Sequence, residues 1–482
     1  MSEDQGITVK KRENFSEWYT QVIQKAELAD YTLVSGCMVL RPWAYAIWEN
    51  IQKIVDEKLK KLGHKNAYFP LLIPESLLTK ESDHVKGFVP EVAWVTQGGN
   101  EKLAERLAIR PTSETIMYAS YSKWVRSWRD LPLLINQWCN IVRWEFKNPR
   151  PFLRGREFLW QEGHTVHATS EDADKEVKTI LLEVYKDLAE NSLAISAVYG
   201  KKTENEKFPG ALYTTTFESI MPDGKALQMG TSHQLGTNFS KAFDIQFVDK
   251  DEKKKYAWQT SWGISTRLIG GIIMVHGDDK GLVLPPKIAP LQAVIVPILF
   301  EKTRDEVILE AEKIQYSLEE AGVRSHLDSR DAYSPGYKFS EWELKGVPLR
   351  IEIGPRDLKN GEVVLARRDT GEKRSVKIAG LKNAVSIALE SIQSNLLAQS
   401  KKFLETHITE VKDYAIFKKV VEDGGGFVNV AWCGDGKCEE KIKEETGATM
   451  RVLPFDEKVK PKSKCLYCGK DAKESIYAAR AY

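Results

Sequence analysis

The chain has 482 residues, too many for one hydrophobic core, so about two to four domains are expected. Hydrophobic residues make up 42% and charged residues 29%, the balance of a soluble globular protein, which excludes disorder over most of the length. The net charge is only +2, so global charge announces no nucleic-acid partner, and any such contact must come from local patches. No apolar run of about 18 residues is present, so no membrane span is expected. The first residues, from Met1 to Gly6, lack the basic start and apolar stretch of a secretory signal, and a cytoplasmic protein is expected.

In chain order, residues 42–62 carry apolar side chains at helical spacing (Trp43, Ile47, Ile51, Ile54, Leu59), with Pro42 suited to the first turn and Gly63 to the stop. An extended apolar run follows over 67–73, then a loop-rich stretch over 87–100. A second helix is predicted over 112–124. Residues 140–146 and 157–164 read as two strands separated by turn chemistry at 147–151, where Pro149 and Pro151 cannot join a ladder. A helix is predicted over 171–189, strands over 211–249 with turns at 222–224 and at Gly236, and a glycine-containing helix within 258–275. The prolines at 285, 286 and 290 mark a linker. Beyond it, strands at 293–299, 323–328 and 349–353 alternate with a helix over 307–318, the pattern of an α/β domain. A helix over 384–403 leads to a segment holding four cysteines. The other two, Cys37 and Cys139, lie in apolar surroundings and read as buried, reduced thiols.

The chemistry concentrates around the two strands. Alternate side chains of a strand share a face, so Arg143 and Glu145 are expected on one face, and Phe158, Trp160, Glu162 and His164 on another. Burying unpaired charge costs several kcal/mol (order of magnitude), so such a face suits a charged ligand better than a core; an exposed face laced with ion pairs is the alternative. Thr112 and Glu114 stand at a helix start, where a carboxylate is favoured, and together can receive an ammonium group. A capping box there is the alternative, but Thr115 occupies the position where it needs Glu or Gln. Residues 228–233 offer polar side chains on both strand faces, and 258–267 place small residues before Arg267, a fork suited to phosphate. His164 and His167 fall on opposite strand faces and are not expected to share a metal.

These segments, in this order, resemble those of class II aminoacyl-tRNA synthetases, and more narrowly the prolyl-tRNA synthetases of archaeal/eukaryotic type, over nearly the whole chain. Residues 42–74 are similar to the first class motif, Arg143, Glu145 and Arg154 to Phe158 to the second, and Gly263 to Gly271 around Arg267 to the third. Arg110 to Glu114 resembles the loop that marks proline enzymes. The resemblance implies an α+β fold: a class II catalytic domain with an antiparallel sheet flanked by helices (1–288), an α/β anticodon-binding domain (289–395) and a small α/β zinc-binding C-terminal domain (396–482). It implies a proline–tRNA ligase activity that uses ATP with Mg²⁺, tRNA(Pro) as partner and a homodimer. Arg143 would hold the α-phosphate and the reacting carboxylate. Glu145 would accept from the adenine amino group, Phe158 and Arg267 would enclose the ring, and Arg154 would reach the outer phosphates. Ser265 would join the nucleotide site, as would Gln228 and Thr231, where a neutral Gln228 departs from the carboxylate usual for Mg²⁺. The proline pocket would take Thr112 and Glu114 for the ammonium, with Arg143, Trp160, Glu162, His164, His233, Ser261 and Gly263. No editing insertion is expected between His164 and Trp258. A non-catalytic RNA-binding relative, or a synthetase for another small amino acid, is the competing reading; the presence of both Arg143 and Arg267 favours the enzyme.

Arg350, Glu352, Arg356, Asp357 and Arg368 are anticodon candidates, because guanine edges are read by Arg and by carboxylates, while a solvated charged surface explains any one of them as well. Cys433, Cys438, Cys465 and Cys468 form a Cx4C…Cx2C pattern, the spacing of a closed tetrahedral Zn²⁺ site. Disulfides are the alternative, disfavoured in a reducing compartment.

Overall fold

The computed structural model describes residues 6–84, 91–146, 148–455, 460 and 462–482, so Lys147 and part of the loop expected over 87–100 lie outside the described residues. The fold is mixed α and β, and its central feature is an antiparallel sheet. Its strands follow the order Val198–Lys201, Tyr213–Ile220, Ala226–Gly236, Trp258–Ser265, Glu157–His167 and Leu133–Val142, with Lys65–Asn66 added in parallel at the edge. Tyr213–Ile220 and Ala226–Gly236 are joined by a tight turn, while the other neighbours are joined by longer segments or lie apart in the chain. Gly224 closes that turn with φ +77°, and its amide donates to Met221 O at 2.8 Å.

One face of the sheet packs on helices. Helix Pro42–Lys61 buries Ile47, Trp48, Ile51 and Val55, and helix Arg267–His276 buries Leu268, Ile269, Ile272 and Ile273 in the same core. On this face Gly163 makes room for the Trp262 ring of the neighbouring strand, since a Cβ there would stand 2.1 Å from it. The other face is covered only in part, by helix Glu114–Trp124 and the short helix Asn238–Phe243 around Tyr118, Tyr121 and Phe239. The uncovered part is the cleft described below.

A five-stranded sheet follows, in the order Ser325–Leu327, Ala293–Pro297, Leu349–Ile353, Glu362–Arg367 and Lys373–Lys377. Its first three strands are parallel, as strand–helix–strand crossovers require. Helix Leu381–Thr406 then carries the chain to the C-terminal segment. The strands of that segment extend the central sheet, because Thr449–Pro454 pairs with Val198–Lys201 (Leu453 with Lys201, Pro454 with Gly200).

Several local expectations are corrected. The strand expected over 140–146 is Leu133–Val142, and Arg143 to Phe146 have left it. The partner strand begins at Glu157, which pairs with Val142, so later residues have no ladder to join. Arg143 and Glu145 therefore do not share a strand face. The loop-rich stretch contains a strand, Trp94–Gly98, paired with Glu101–Ile109. Of the extended run over 67–73, only Leu72–Pro74 is strand. The strands expected over 211–249 are interrupted by helix Asn238–Phe243. The helix over 171–189 begins as Ser170–Thr179 and continues with wider turns over Ile180–Tyr185 and Leu188–Ser192. Cys37 and Cys139 are half-buried rather than buried; Cys139 accepts from Trp160 Nε1 at 3.3 Å.

Candidate active site

The central strands bring alternate side chains into register across the open face. Glu162 stands opposite Gly263, His164 opposite Ser261, and Trp160 opposite Ser265. On the next strand Ser261 faces His233 and Gly263 faces Thr231, and His233 faces Thr214 beyond it. The result is a floor of polar side chains under a cleft of about 310 Å³. Thr112, Glu114, Arg143, Phe158, Trp160, Glu162, His164, Gln228, Thr231, His233, Ser261, Gly263, Ser265 and Arg267 all line it.

At one end lie the two guanidinium groups. Arg267 opens its helix and donates from Nε to Leu153 O and from Nη1 to Gln228 O, both at 3.2 Å. Burial, and then the charges of Arg143 and Arg154, push its pKa down from 12.5 to about 10. Arg143 donates from Nε to Pro111 O at 3.2 Å, and its guanidinium lies 5.6 Å from the Phe158 ring and 5.4 Å from the Trp160 ring. Burial lowers its pKa as well, against the pull of Glu145, Glu114 and Glu162. Phe158 and Arg267 also border a smaller recess with Arg154, outside the cleft proper. Arg154 stacks on Phe146 at 5.3 Å. Glu145 is exposed beyond Arg143 and does not line the cleft.

At the other end Thr112 donates to Glu114, and Glu162 is held from several sides. It accepts from Ser113 N at 3.2 Å, from the Ser113 hydroxyl, from Gln137 Nε2 at 2.9 Å and from His164 Nε2 at 3.0 Å. Burial opposes the charge of Glu162, but these hydrogen bonds outweigh it and the pKa falls below 4.5. Burial likewise opposes the charge of His164, while Glu114 and Glu162 raise its pKa above 6.5. His233 is different: burial and then the charge of His164 lower its pKa to about 3, so it is neutral and bonded to Thr214 and Thr231 at 2.8 and 2.9 Å. Ser261 Oγ is buried without a protein partner, an orphaned group pointing to a polar ligand.

The sequence reading missed one wall. Glu206, Lys207, Phe208 and Pro209 also line the cleft, from the loop after Lys201. The only local signal was an aromatic residue beside a proline in a polar stretch. Arg110, named there only as the start of the proline-enzyme loop, is buried and ties the Thr112 segment to the sheet through Phe69 O at 2.7 Å and Asn140 O at 2.8 Å.

Comparison with known proteins agrees with this geometry. The family model "tRNA synthetase class II core domain (G, H, P, S and T)" matches residues 94–276. "Anticodon binding domain" matches residues 292–386, and "Prolyl-tRNA synthetase, C-terminal" matches residues 414–482. A proline–tRNA ligase of Alkaliphilus oremlandii is 55% identical over 469 residues, 97% of this chain and 96% of that protein. One from the archaeon Cenarchaeum symbiosum is 54% identical over 478 residues, 99% of each, and one from Natranaerobius thermophilus is 52% identical over 472 residues, 98% of this chain and 97% of that protein. The chain belongs to the proline–tRNA ligase family.

Two further groups of residues are placed by the fold of this ligase family. The Sγ atoms of Cys433, Cys438, Cys465 and Cys468 all lie within 4.8 Å of one another, with Cys433 at 3.7 Å from both Cys438 and Cys468. A tetrahedral zinc–thiolate centre needs sulfurs about 3.8 Å apart, so the donors fit Zn²⁺, and the spacing is too long for a disulfide. The anticodon candidates do not cluster evenly. Arg350 is buried against Glu352 at 2.8 Å and Glu343 at 3.3 Å and lies 4.1 Å from the Phe339 ring. Asp357 accepts from Gly354 N at 2.9 Å as a helix cap, and Arg356 beside it is exposed. Arg368 makes a two-pronged bond to Asp278, at 2.6 and 2.7 Å, which joins the five-stranded domain to the catalytic part.

Proposed function

We propose that the cleft joins L-proline to tRNA(Pro) in two steps. The proline carboxylate attacks the α-phosphorus of ATP, forming prolyl-adenylate and releasing pyrophosphate. A terminal ribose hydroxyl of the tRNA then attacks the proline carbonyl, forming the ester and releasing AMP. The protein supplies positioning and charge neutralisation. The observation that carries this reading is a pair of guanidinium groups, Arg143 and Arg267, on one cleft, whose hydrogen bonds among the described residues go to backbone carbonyls and not to a carboxylate. An anion of high charge completes such a site.

In this reading Arg143 bridges the α-phosphate and the proline carboxylate, and Phe158 and Arg267 enclose the adenine. Arg154, on the outer recess, meets the outer phosphates, and Glu145 and Ser265 border the base. Glu114 and Thr112 take the secondary ammonium, and Trp160, Glu162, His164, His233, Ser261 and Gly263 shape the pocket. Mg²⁺ would enter with the nucleotide; Gln228 and Thr231 offer neutral oxygens of the type a hard cation accepts, and magnesium would neutralise phosphate charge. Zn²⁺ would sit on the four cysteines as a closed structural centre. The chain divides at about residues 288 and 395 into catalytic, anticodon-binding and zinc-binding parts.

A homodimer is supported by the exposed apolar hairpin that carries Leu33 (107% exposed), Tyr31 (60%) and Val34 (51%) beside helix Pro42–Lys61. Thiolate metal ligation suits the reducing cytoplasm. Among the described residues no helix is long and apolar enough to cross a membrane. Residues between His164 and Trp258 build strands of the catalytic sheet and its flanking helices, so the enzyme is proposed to lack cis-editing and to leave alanyl-tRNA(Pro) intact. The deciding experiment is ATP–pyrophosphate exchange with proline, alanine, threonine, glycine and serine. Exchange dependent on proline is expected; its absence with proline, or a preference for another amino acid, overturns the assignment.

A further inference from the structure

The loop after the strand Val198–Lys201 forms the amino-acid end of the cleft, where the Phe208 ring lies 4.8 Å from the His233 ring. Within the catalytic part the loop is tied mainly by backbone turns: Lys207 N donates to Thr203 O at 2.9 Å, and Phe208 N to Thr214 Oγ1 at 2.8 Å. Its ends are also held within the catalytic part, where Lys202 N donates to Thr214 O at 2.9 Å, Leu212 N to Gln234 O at 2.7 Å, and Asn238 Nδ2 to Gly210 O at 2.8 Å. The middle of the loop, residues 203–206, is anchored from the far end of the chain. Thr203 Oγ1 donates to Glu439 Oε1 at 2.8 Å, across 236 residues of sequence. Asn205 Nδ2 donates to Gly436 O at 3.3 Å, and a Cβ on Gly436 would stand 2.9 Å from the Asn205 amide, which would then have to shift. Glu206 lies 3.6 Å from Arg451 Nη1. Arg451 in turn clamps Glu218 from Nε at 2.8 Å and from Nη2 at 3.1 Å, and Glu218 also receives Lys202 Nζ at the root of the loop.

Lys202, Thr203, Glu218, Glu439 and Arg451 are all buried. A buried charged network of this kind is a weak source of net stability, because desolvation offsets most of the attraction, but its directional bonds hold backbone in one place. The Gly436–Thr446 helix and the Thr449–Pro454 strand, which carry these partners, are fixed to the catalytic sheet by the ladder at Leu453 and Pro454. They therefore form a rigid frame outside the cleft, and the loop hangs between that frame and the His233 row.

We propose that the C-terminal domain sets the position of the 203–209 stretch of the loop, with Glu439 and Arg451 as positioning residues that govern affinity for the amino acid, Glu439 leaving the nucleotide end of the cleft unaffected. This rests on the reading of the cleft as the site of proline activation. The nucleotide end is built from Phe158, Ser265 and Arg267, none of which the loop bonds.

The test uses the full-length enzyme with Glu439→Ala, Glu439→Gln, Thr203→Val and Arg451→Lys, read by ATP–pyrophosphate exchange and by hydrogen exchange of the loop amides. Glu439→Ala and Thr203→Val are expected to raise KM for proline about tenfold, with KM for ATP within about twofold of wild type, because a small displacement of a positioning group weakens binding. Exchange of the 203–208 amides should quicken in the same variants. Glu439→Gln keeps an acceptor oxygen for Thr203 and should restore most of the affinity, and the double variant Thr203→Val/Glu439→Ala should be no worse than either single one. Arg451→Lys keeps the charge but loses the fork and should fall between. Unchanged KM for proline in Thr203→Val, or an equal rise for proline and ATP, overturns the proposal. Should Glu439→Ala fail to fold, Thr203→Val and Arg451→Lys carry the decision together, since the Thr203 hydroxyl also accepts from Glu206 N at 3.3 Å and both variants must raise KM for proline. A wild-type enzyme without proline-dependent exchange would instead refute the reading of the cleft.

Discussion

Arg143 and Arg267 converge on one cleft with like charge, and the charge of Arg143 is, after burial, the largest influence lowering the pKa of Arg267. Two cations held together without a carboxylate partner destabilise each other until an anion arrives. The fold tolerates this because Arg267 is tied to two backbone carbonyls and Arg143 to a third.

The consequence is a trade between stability and activity. Arg267→Gln should reduce proline-dependent exchange by about 10²–10³-fold, the usual loss when a charge-stabilising donor is removed. Thermal stability of the free enzyme should hold or rise, because a buried charge without a counter-ion has been removed. ATP at about 100 times its Kd should stabilise wild type by about 2.7 kcal/mol and the variant by much less. ATP–pyrophosphate exchange checks the first, and differential scanning fluorimetry with and without ATP checks the other two; a variant that loses activity by unfolding would contradict the account.

The buried Glu162–His164 pair gives a pH dependence with a definite sign. His164 has its pKa raised above 6.5, so its contribution is full below 6.5 and is lost as pH rises through the folded value. Glu162 has its pKa lowered below 4.5, so its contribution is present above 4.5 and is lost as pH falls through the folded value. The pair thus stabilises most between about pH 4.5 and 6.5. His164→Gln should narrow the stability gap between pH 5.5 and pH 8 relative to wild type. Urea unfolding at both pH values measures this; a larger gap in the variant would reverse the sign and sink the argument.

How much of this was legible beforehand depends on what kind of order each residue obeys. Phe158, Trp160, Glu162 and His164 sit on a strand, where alternation alone puts them on one face, and Ser261 and His233 join them because the neighbouring strands are also in register. Arg143 was noticed for its charge, but its placement on a strand was wrong, since the ladder stops when the partner strand does. The Phe208 loop obeys no period and takes its position from Glu439, Gly436 and Arg451, contacts that no local pattern encodes. Arg368 shows the same difficulty in reverse. A charged residue in a stretch with no predicted element reads as a free surface group until Asp278 is found beside it.

The cysteine cluster should behave as a metal centre rather than as a redox pair. Purified enzyme is expected to carry about one Zn²⁺ per chain, and Cys465→Ser to lower that stoichiometry and the unfolding midpoint together, because a closed thiolate site contributes directly to folding. Thiolates must lose protons to bind metal, so zinc retention should fall on acidification. Elemental analysis after dialysis at pH 7.5 and pH 5 tests this. Metal-free enzyme whose stability is unaffected by Cys465→Ser would contradict it.

Arg356 and Arg368 should separate when tRNA is the substrate. Arg356 is exposed on the five-stranded domain and free to meet an RNA base, whereas Arg368 is committed to Asp278 and Glu343 O. Arg356→Glu is therefore expected to raise KM for tRNA(Pro) at least several-fold while exchange stays at wild-type level, since a reversed charge repels the nucleic acid and a lost guanine contact is worth about 1–3 kcal/mol. Arg368→Ala breaks a contact between domains instead. It should lower the unfolding midpoint, leave Asp278 unpaired, and impair charging with little selectivity for the anticodon sequence. Charging kinetics on tRNA(Pro) and on an anticodon-altered transcript distinguish the two. A variant at Arg356 that still discriminates between those RNAs as wild type does would remove it from the recognition surface.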